Sequence, residues 1–376
     1  MTRELKGANW GRQAMSRSVC VIVPSVANAV ELGITLDGLL SQTYYGPLEI
    51  VVVGPGSDSG REQAESRGVR FIDDAASRTR GDACNVALEA TKSDLVMFTD
   101  DDVIVPKEWV ANLARWFERP GVAGVGGPNF APPEHSTLQQ QIIDVSFCST
   151  IFTVGTNYGR VEAGKLGEDE QLPGVQTAYR RSVLQEVGGF PPGCIGAEDV
   201  ILDHMIRQAG HRLWTDRTAV MWHRRRDLSR VKRQIRNYGL VRTLASHEHR
   251  ELRSWSHTLV ALFPPIVIAA FGFFFWGLAN GGLNWPEFWD ISYETVPMGW
   301  PRAGVHTLVS LIVLYNLIAW YGAAKGSSPC RTPKTVFLSS IATFALHWNY
   351  GMGVLRGWWR IFIGNSGLQI DDRVRG

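Results

Sequence analysis

Three carboxylates in a row close an apolar run in the stretch SDLVMFTDDDVIVPKEWV, residues 93–110. Asp100, Asp101 and Asp102 repel one another, and like charges disfavour joint ionisation. Either water dilutes that repulsion or a cation is held among them. In extended geometry Asp100 and Asp102 leave one side of the chain and Asp101 the other. The outer pair could then grip one hard ion, magnesium or manganese, whose remaining positions go to water and phosphate oxygens. The simpler use is a helix cap, with Asp102 ahead of the turn.

The elements that must position this triplet read as a regular alternation. Residues 18–23 (SVCVIV) form a buried strand ended by Pro24, and 30–42 have helical spacing. A strand at 48–53, a short helix at 63–68 and a strand at 69–72 follow, then a helix at 81–91 and a strand at 95–99. Strand and helix at this rhythm predict a parallel sheet covered on both faces. Ligands of such sheets bind beyond the carboxyl ends of the strands, where the aspartates fall. A rival reading starts from Gly54, Gly56 and Gly60, a GxGxxxG phrase after the second strand with Asp73 near the next strand's end. It resembles a dinucleotide phosphate loop and would make the chain an NAD-binding protein. Its spacing, the stiff Pro55 and its place on the second strand count against it.

Bulk numbers bound the rest. The 376 residues carry a net charge of only +2, so nothing global points to nucleic acid. The five cysteines form no CxxC pair, which fits reduced thiols and no zinc module. Residues 1–17 have no apolar core, so they read as a flexible N-terminal tail rather than a signal peptide. The last third is different. Uncharged runs near 258–279 and 304–324 each reach the roughly 20 residues that span hydrocarbon. A third near 335–355 holds His347, Asn349 and glycines. Three spans, or two plus a re-entrant segment, both satisfy the pattern. The Arg-rich block before the first run places the preceding domain on the cytoplasmic side. The acidic 280–302 segment reads as an external loop.

More of the chain falls into place by resemblance. FTDDDVIVPKEWV resembles the DxD region of family 2 glycosyltransferases, whose nucleotide-sugar-binding fold is called GT-A. In order along the chain, SVCVIVPSVANAVELGITLDGLLSQTY resembles that family's opening strand and helix, and RGDACNVALEATKSD its helix before the metal strand. GVQTAYRRSVLQEVGGF is similar to its acceptor-side segment, GAEDVILDHMIRQAGHRLW to the segment carrying the catalytic base, and AVMWHRRR ends that pattern. The similarity covers about residues 19–239.

The resemblance implies an α/β GT-A domain, Rossmann-like with a mostly parallel sheet, at 18–228. It implies a metal-dependent, inverting enzyme in which Mg2+ or Mn2+ neutralises the leaving diphosphate. The nucleotide-sugar donor is expected against Pro24, Ser25, Asn28, Gly54, Asp82, Asp100 and Asp101, with the metal on Asp100, Asp102 and His223. A lone His after a strand is also commonly just satisfied by a hydrogen bond. Asp199, with Glu198 beside it, is the candidate general base. Adjacent carboxylates raise one pKa, which suits a base, while acids also suit a helix N-terminus. Gln176, Gln234 and Arg236 are expected near the acceptor or diphosphate. The phrase QIRNYG, Gln234 to Gly239, resembles the family's QxxRW element with Tyr238 for Trp at a shifted place. That element belongs to processive polysaccharide synthases, so its altered form points to transfer of a single sugar. One departure concerns the base: Gly54-Pro55-Gly56-Ser57 stands where the family usually has aspartates that read it. Asp73, Asp82 or backbone would then take that part.

The expected organisation adds a basic amphipathic interfacial helix at 229–255, a membrane region at 256–362 and a C-terminal tail at 363–376. The acceptor would be lipid-linked, a polyprenyl or dolichyl phosphate or a lipid-borne saccharide. A processive synthase or a non-catalytic membrane scaffold are the alternatives.

Overall fold

The computed structural model describes residues 17–26, 29–56, 59–74, 77–151, 167–169, 171–280 and 300–368. Residues 1–16 and 369–376 of the two expected tails, Asn28, and the 281–299 part of the acidic segment lie outside them.

The first half alternates as its apolar spacing demands: β1 (Val19–Pro24), α1 (Ala29–Leu40), β2 (Leu48–Gly54), α2 (Ser59–Glu65), β3 (Arg70–Asp73), α3 (Arg80–Glu89) and β4 (Leu95–Thr99). Helix α2 starts four residues before the expected 63–68 and stops earlier, at a turn that ends on Gly68 with φ 67°. Beyond it come β5 (Val103–Ile104), α4 (Trp109–Ala114), β6 (Val122–Gly126), β7 (Asn129–Phe130), α5 (Leu138–Phe147), β8 (Gly167–Asp169) and β9 (Gln176–Arg180). Then follow α6 (Arg181–Val187), α7 (Glu198–Gln208), β10 (Arg212–Thr215), β11 (Met221–His223) and α8 (Leu228–Glu248).

One eight-stranded sheet runs β3-β2-β1-β4-β9-β6-β10-β8. Strands β1, β2, β3 and β4 are parallel, β10 is parallel to β6, and β9 runs antiparallel between β4 and β6. Successive side chains of a strand leave opposite faces, and β1 shows it. Val19, Val21 and Val23 pack with Leu32, Leu36 and Trp109, while Cys20 and Ile22 pack with Cys84, Tyr179 and Leu202. All five β1 positions are fully buried. Each such aliphatic side chain contributes about 1.5–3 kcal/mol by leaving water. This rigid double-sided core fixes the strand ends. A second, three-stranded sheet, β5-β11-β7, is built from segments far apart in sequence.

The last third is helical: α9 (Trp255–Ala279), α10 (Trp300–Lys325) and α11 (Pro333–Phe362). Two helices are long and apolar enough to cross a membrane: Trp255–Ala279, mean hydropathy 2.2, and Arg302–Lys325, mean hydropathy 1.6. Only 17% and 22% of their most apolar stretches are buried in the protein, unlike a core helix. They form a hairpin. A Cβ on Gly304 would lie 2.4 Å from the Phe273 carbonyl oxygen, and Gly322 and Gly326 press against Ser149 and the Cys148 carbonyl. The third uncharged run, near 335–355, sits inside α11, which does not pass the same length-and-apolarity measure among the described residues.

Helices α8 and α11 lie side by side and run the same way. Val231 and Ile235 pack with Ala342 and Leu346, Gly239 abuts Tyr350, and Gly357 abuts Thr243. A Cβ on Gly353 would come within 2.1 Å of the Arg236 carbonyl oxygen, so only glycine permits this spacing. The apolar face of α8, expected at a membrane surface, is therefore covered by protein. Val231 and Ile235 meet α5 and α11, and Leu240, Val241, Leu244 and Ala245 meet α7.

Candidate active site

Strand β4 ends at Thr99, whose hydroxyl donates to the Val175 carbonyl at 3.0 Å and whose register partner on β9 is Gln176. The chain then emerges from the sheet, and the three aspartates part company. Asp101 turns toward the end of β1, where the Ser25 hydroxyl donates to it at 2.6 Å. Asp102 leads into β5, which pairs antiparallel with β11 so that His223 stands opposite Val103. His223 Nε2 is 3.1 Å from Asp102 Oδ1. Asp100, Asp102 and His223 bring their ligand atoms within 4.8 Å of one another. Burial would push the Asp102 carboxyl up, but the hydrogen bond and charge of His223 and the charge of Arg226 outweigh it and hold it below the usual range. His223 Nδ1 is buried without a hydrogen-bond partner among the described residues.

Two carboxylates and an imidazole in one half-buried cluster are a donor set that suits magnesium or manganese. The site can hold such an ion with Asp101 left to Ser25.

A second acidic group lies on the other side of Arg80. Glu198 and Asp199 open α7, where the helix macrodipole favours acids. The residue before them, Ala197, has φ 57°, a left-handed conformation that costs a non-glycine residue about 1–3 kcal/mol. No other described non-glycine residue has positive φ. Asp199 Oδ1 accepts from the Val200 N–H at 2.8 Å. Its other oxygen lies 2.7 Å from where a Cβ on Gly174 would be, so Gly174 leaves the space this carboxylate occupies. Burial raises both carboxyls. For Asp199 the Val200 N–H and Arg80 partly offset it; for Glu198 the Asp199 charge adds to it and Arg80 opposes.

Arg80, in the first turn of α3, joins the two groups. Its Nη2 donates to Asp100 Oδ1 at 3.0 Å and to the Gly174 carbonyl at 2.9 Å, and its Nη1 is 3.7 Å from Glu198 Oε1. Burial disfavours its charge, but Asp100, Glu198 and Asp199 outweigh that and lock it protonated. The sequence reading did not single out Arg80. Its one signal was an arginine in a helix's first turn, where the macrodipole disfavours cations.

The remaining sequence-derived candidates are placed as follows. Pro24 and Ser25 end β1, and a Cβ on Gly54 would strike the Ser25 carbonyl. Asp82 accepts from the Gly193 N–H at 2.8 Å and steadies the loop ahead of α7. Gln176 is fully buried, its amide oxygen accepting from Trp109 Nε1 at 2.9 Å and its nitrogen donating to the Pro128 carbonyl, beneath the site. Gln234 donates to the Tyr238 hydroxyl, and Arg236 donates to Asn349 Oδ1 on α11 at 2.7 Å. Asp73 accepts from the Gly56 N–H and lies 3.5 Å from Arg61.

Two further ties hold the site to the helical region. The loop before α7 bonds through Ile195 N–H to the Leu368 carbonyl, 3.1 Å, just past α11. Two residues after His223, Arg225 Nε donates to Asp144 Oδ1 at 2.7 Å, with 4% and 0% of the two residues exposed. Ser328, in the α10–α11 loop, donates to the other Asp144 oxygen at 2.6 Å.

Residues 20–188 match the family model described as Glycosyl transferase family 2. Among curated relatives, an O-antigen chain rhamnosyltransferase of Salmonella typhimurium is 26% identical over 201 residues, 50% of this chain and 60% of that one. A second O-antigen chain rhamnosyltransferase, from Salmonella anatum, is 32% identical over 143 residues, 35% of this chain and 42% of that one. The chain thus spans only part of the length of the curated relatives it matches. Among solved structures, a mannosyltransferase from Pyrobaculum calidifontis, in complex with GDP-Man and Mn2+, is similar in fold with a TM-score of 0.50. It is 20% identical, and the match covers 92% of this chain and 88% of that one.

Proposed function

We propose that this chain, whose residues 20–188 match the family 2 glycosyl transferase model, is a glycosyltransferase acting on nucleotide sugars, with a more specific activity. The enzyme moves one sugar, with inversion, from a nucleotide-sugar donor to a lipid-linked acceptor, a polyprenyl or dolichyl phosphate or a lipid-borne saccharide. It does so on the cytoplasmic face of a membrane that α9 and α10 cross as a hairpin. The single observation that carries this is Arg80, which links the cation-binding carboxylate Asp100 to the acidic pair at Glu198–Asp199.

Each residue then has one task. Asp100, Asp102 and His223 would hold Mg2+ or Mn2+, which would supply positive charge against the leaving diphosphate. Ser25, just past β1, and Asp101, just past β4, would meet the donor's ribose and base. Asp199, raised by burial and seated beside Gly174, accepts the proton of the attacking hydroxyl. Arg80 opposes part of that rise while bracing Asp100. Attack from the Asp199 side, opposite the diphosphate, inverts the anomeric centre. Support for a lipid acceptor comes from the Ile195–Leu368 bond, which fastens the base loop to the end of the membrane-side helices.

The test is to incubate the full chain in vesicles with labelled UDP-, GDP- and dTDP-sugars, with and without Mn2+. One extractable glycolipid bearing a single added sugar is expected. A ladder of growing products would replace this reading with a processive synthase. Nucleotide release with no glycolipid would remove the lipid acceptor.

A further inference from the structure

Helix α11 carries a second apolar face that the described residues leave largely exposed, with Phe263 and Trp320 of the hairpin touching it. Phe337, Ile341, Phe344, Met352, Trp359 and Phe362 are between 38% and 80% exposed. At about 100° per residue these six positions fall within an arc of about 80°, along roughly 38 Å of helix. The opposite face is small or polar and buried: Thr335, Ser339, Ala342, Asn349, Gly353 and Gly357. That face seats α8 and α5. The helix is therefore amphipathic in reverse, with its packing side toward the enzyme and its large apolar side turned out.

We propose that α11 lies in the plane of the membrane, its exposed stripe sunk into the headgroup–acyl boundary of a lipid bilayer, as the platform on which the catalytic domain rests. This rests on the reading that α9 and α10 anchor the chain. Three observations choose lipid as the occupant. First, α11 cannot cross the membrane, because α8 runs parallel against it along most of its length. Helix α8 carries Arg230, Lys232, Arg233, Arg236 and Arg242, and charges in hydrocarbon are costly. Second, the stripe is continuous with the lipid-facing hairpin. Phe263 of α9 meets Phe344, and Trp320 of α10 stacks on Phe337 with ring centroids 5.1 Å apart. Third, exposed Lys334 and Arg356 flank it, and Trp358 and Trp359 stand near its end. Cations and tryptophans of this kind belong at a headgroup boundary.

The test uses the full chain in vesicles of phosphatidylcholine and phosphatidylglycerol, with single-cysteine variants F337C, I341C, M352C and F362C carrying an environment-sensitive dye. F271C on α9 and V313C on α10 serve as references. Lipids bearing a quencher at a shallow or a deep position report depth. All four α11 labels are expected to emit blue-shifted and to be quenched most by the shallow probe, to the same degree from 337 to 362. The two hairpin labels should respond most to the deep probe. A steady change of depth from 337 to 362 would overturn the proposal in favour of a third span. Water-like emission on α11 with deep hairpin labels would overturn it while keeping the anchor. Blue-shifted α11 labels blind to both lipid probes would assign the stripe to a second copy of the chain. Water-like emission at 271 and 313 as well would sink the anchoring reading itself.

Discussion

Arg80 and Glu198 face each other at 3.7 Å, and the same guanidinium holds Asp100 at 3.0 Å. One half-buried cation thus serves two acidic clusters that would otherwise repel each other. Removing it leaves like charges facing one another without compensation. R80Q is expected to lower kcat by at least about 100-fold, the lower end of what a positioned proton acceptor contributes. R80K should recover part of it. Retention of full activity in R80Q, measured with saturating donor and Mn2+, would show that the bridge is ornamental.

The acidic pair sets a pH dependence whose sign follows from burial. Burial lifts the Asp199 carboxyl above its ordinary value, and Arg80 pulls it part of the way back. Activity needs the ionised form, so kcat/KM should rise with pH through a limb above the usual aspartate value of about 4. In R80Q the residual activity should have that limb at still higher pH. Stability runs the other way. A carboxyl raised by folding favours the native state below its unfolded pKa, and that contribution is lost as pH rises through its folded value. D199N should therefore melt no lower than the parent protein at pH 7 while losing turnover. Calorimetry of the two across pH 4–8 checks this.

His223 and Asp102, 3.1 Å apart, come from strands that meet only in the three-stranded sheet. H223A is expected to weaken Mn2+ binding in the presence of nucleoside diphosphate by at least the roughly 10–100-fold that loss of an outer-shell partner costs. Excess Mn2+ should restore part of the rate. Titration calorimetry that finds unchanged Mn2+ affinity in H223A would remove the histidine from the metal set.

Asp144 accepts from Arg225, Ser328 and the Ala131 N–H at 2.7, 2.6 and 2.9 Å and is fully buried. D144A should cost about 3–5 kcal/mol, the effect of stripping one member from a buried ion pair. The double variant D144L/R225M should regain much of that. Denaturant midpoints of the two variants, measured in the same detergent, decide the matter.

How much of this was readable in advance depended on how local each determinant is. The apolar runs of β1 and β4 declare themselves, and the aspartates after Thr99 mark the strand end that ligands use. Glu198 and Asp199 were legible as neighbours at a helix start. The sheet that delivers His223 was not, because β5, β7 and β11 are two or three residues long and β11 pairs with segments about 90 to 120 positions earlier. Arg80 escaped because its partners lie just past β4, at Gly174 and on α7, all beyond its own helix. The uncharged run near 335–355 has the composition of a span. Its small and polar residues recur at helical spacing, at 335, 339, 342, 349, 353 and 357, and that stripe is the face that packs against α8 and α5.

The backbone bond from Ile195 to Leu368 has a geometric consequence. With α11 resting among headgroups, the loop bearing Asp199 is moored at one fixed altitude above the bilayer. Substrates would then be sorted by how far their nucleophilic oxygen stands from the lipid surface. A carrier with one spacer unit too many or too few would offer its oxygen to the wall of the cleft.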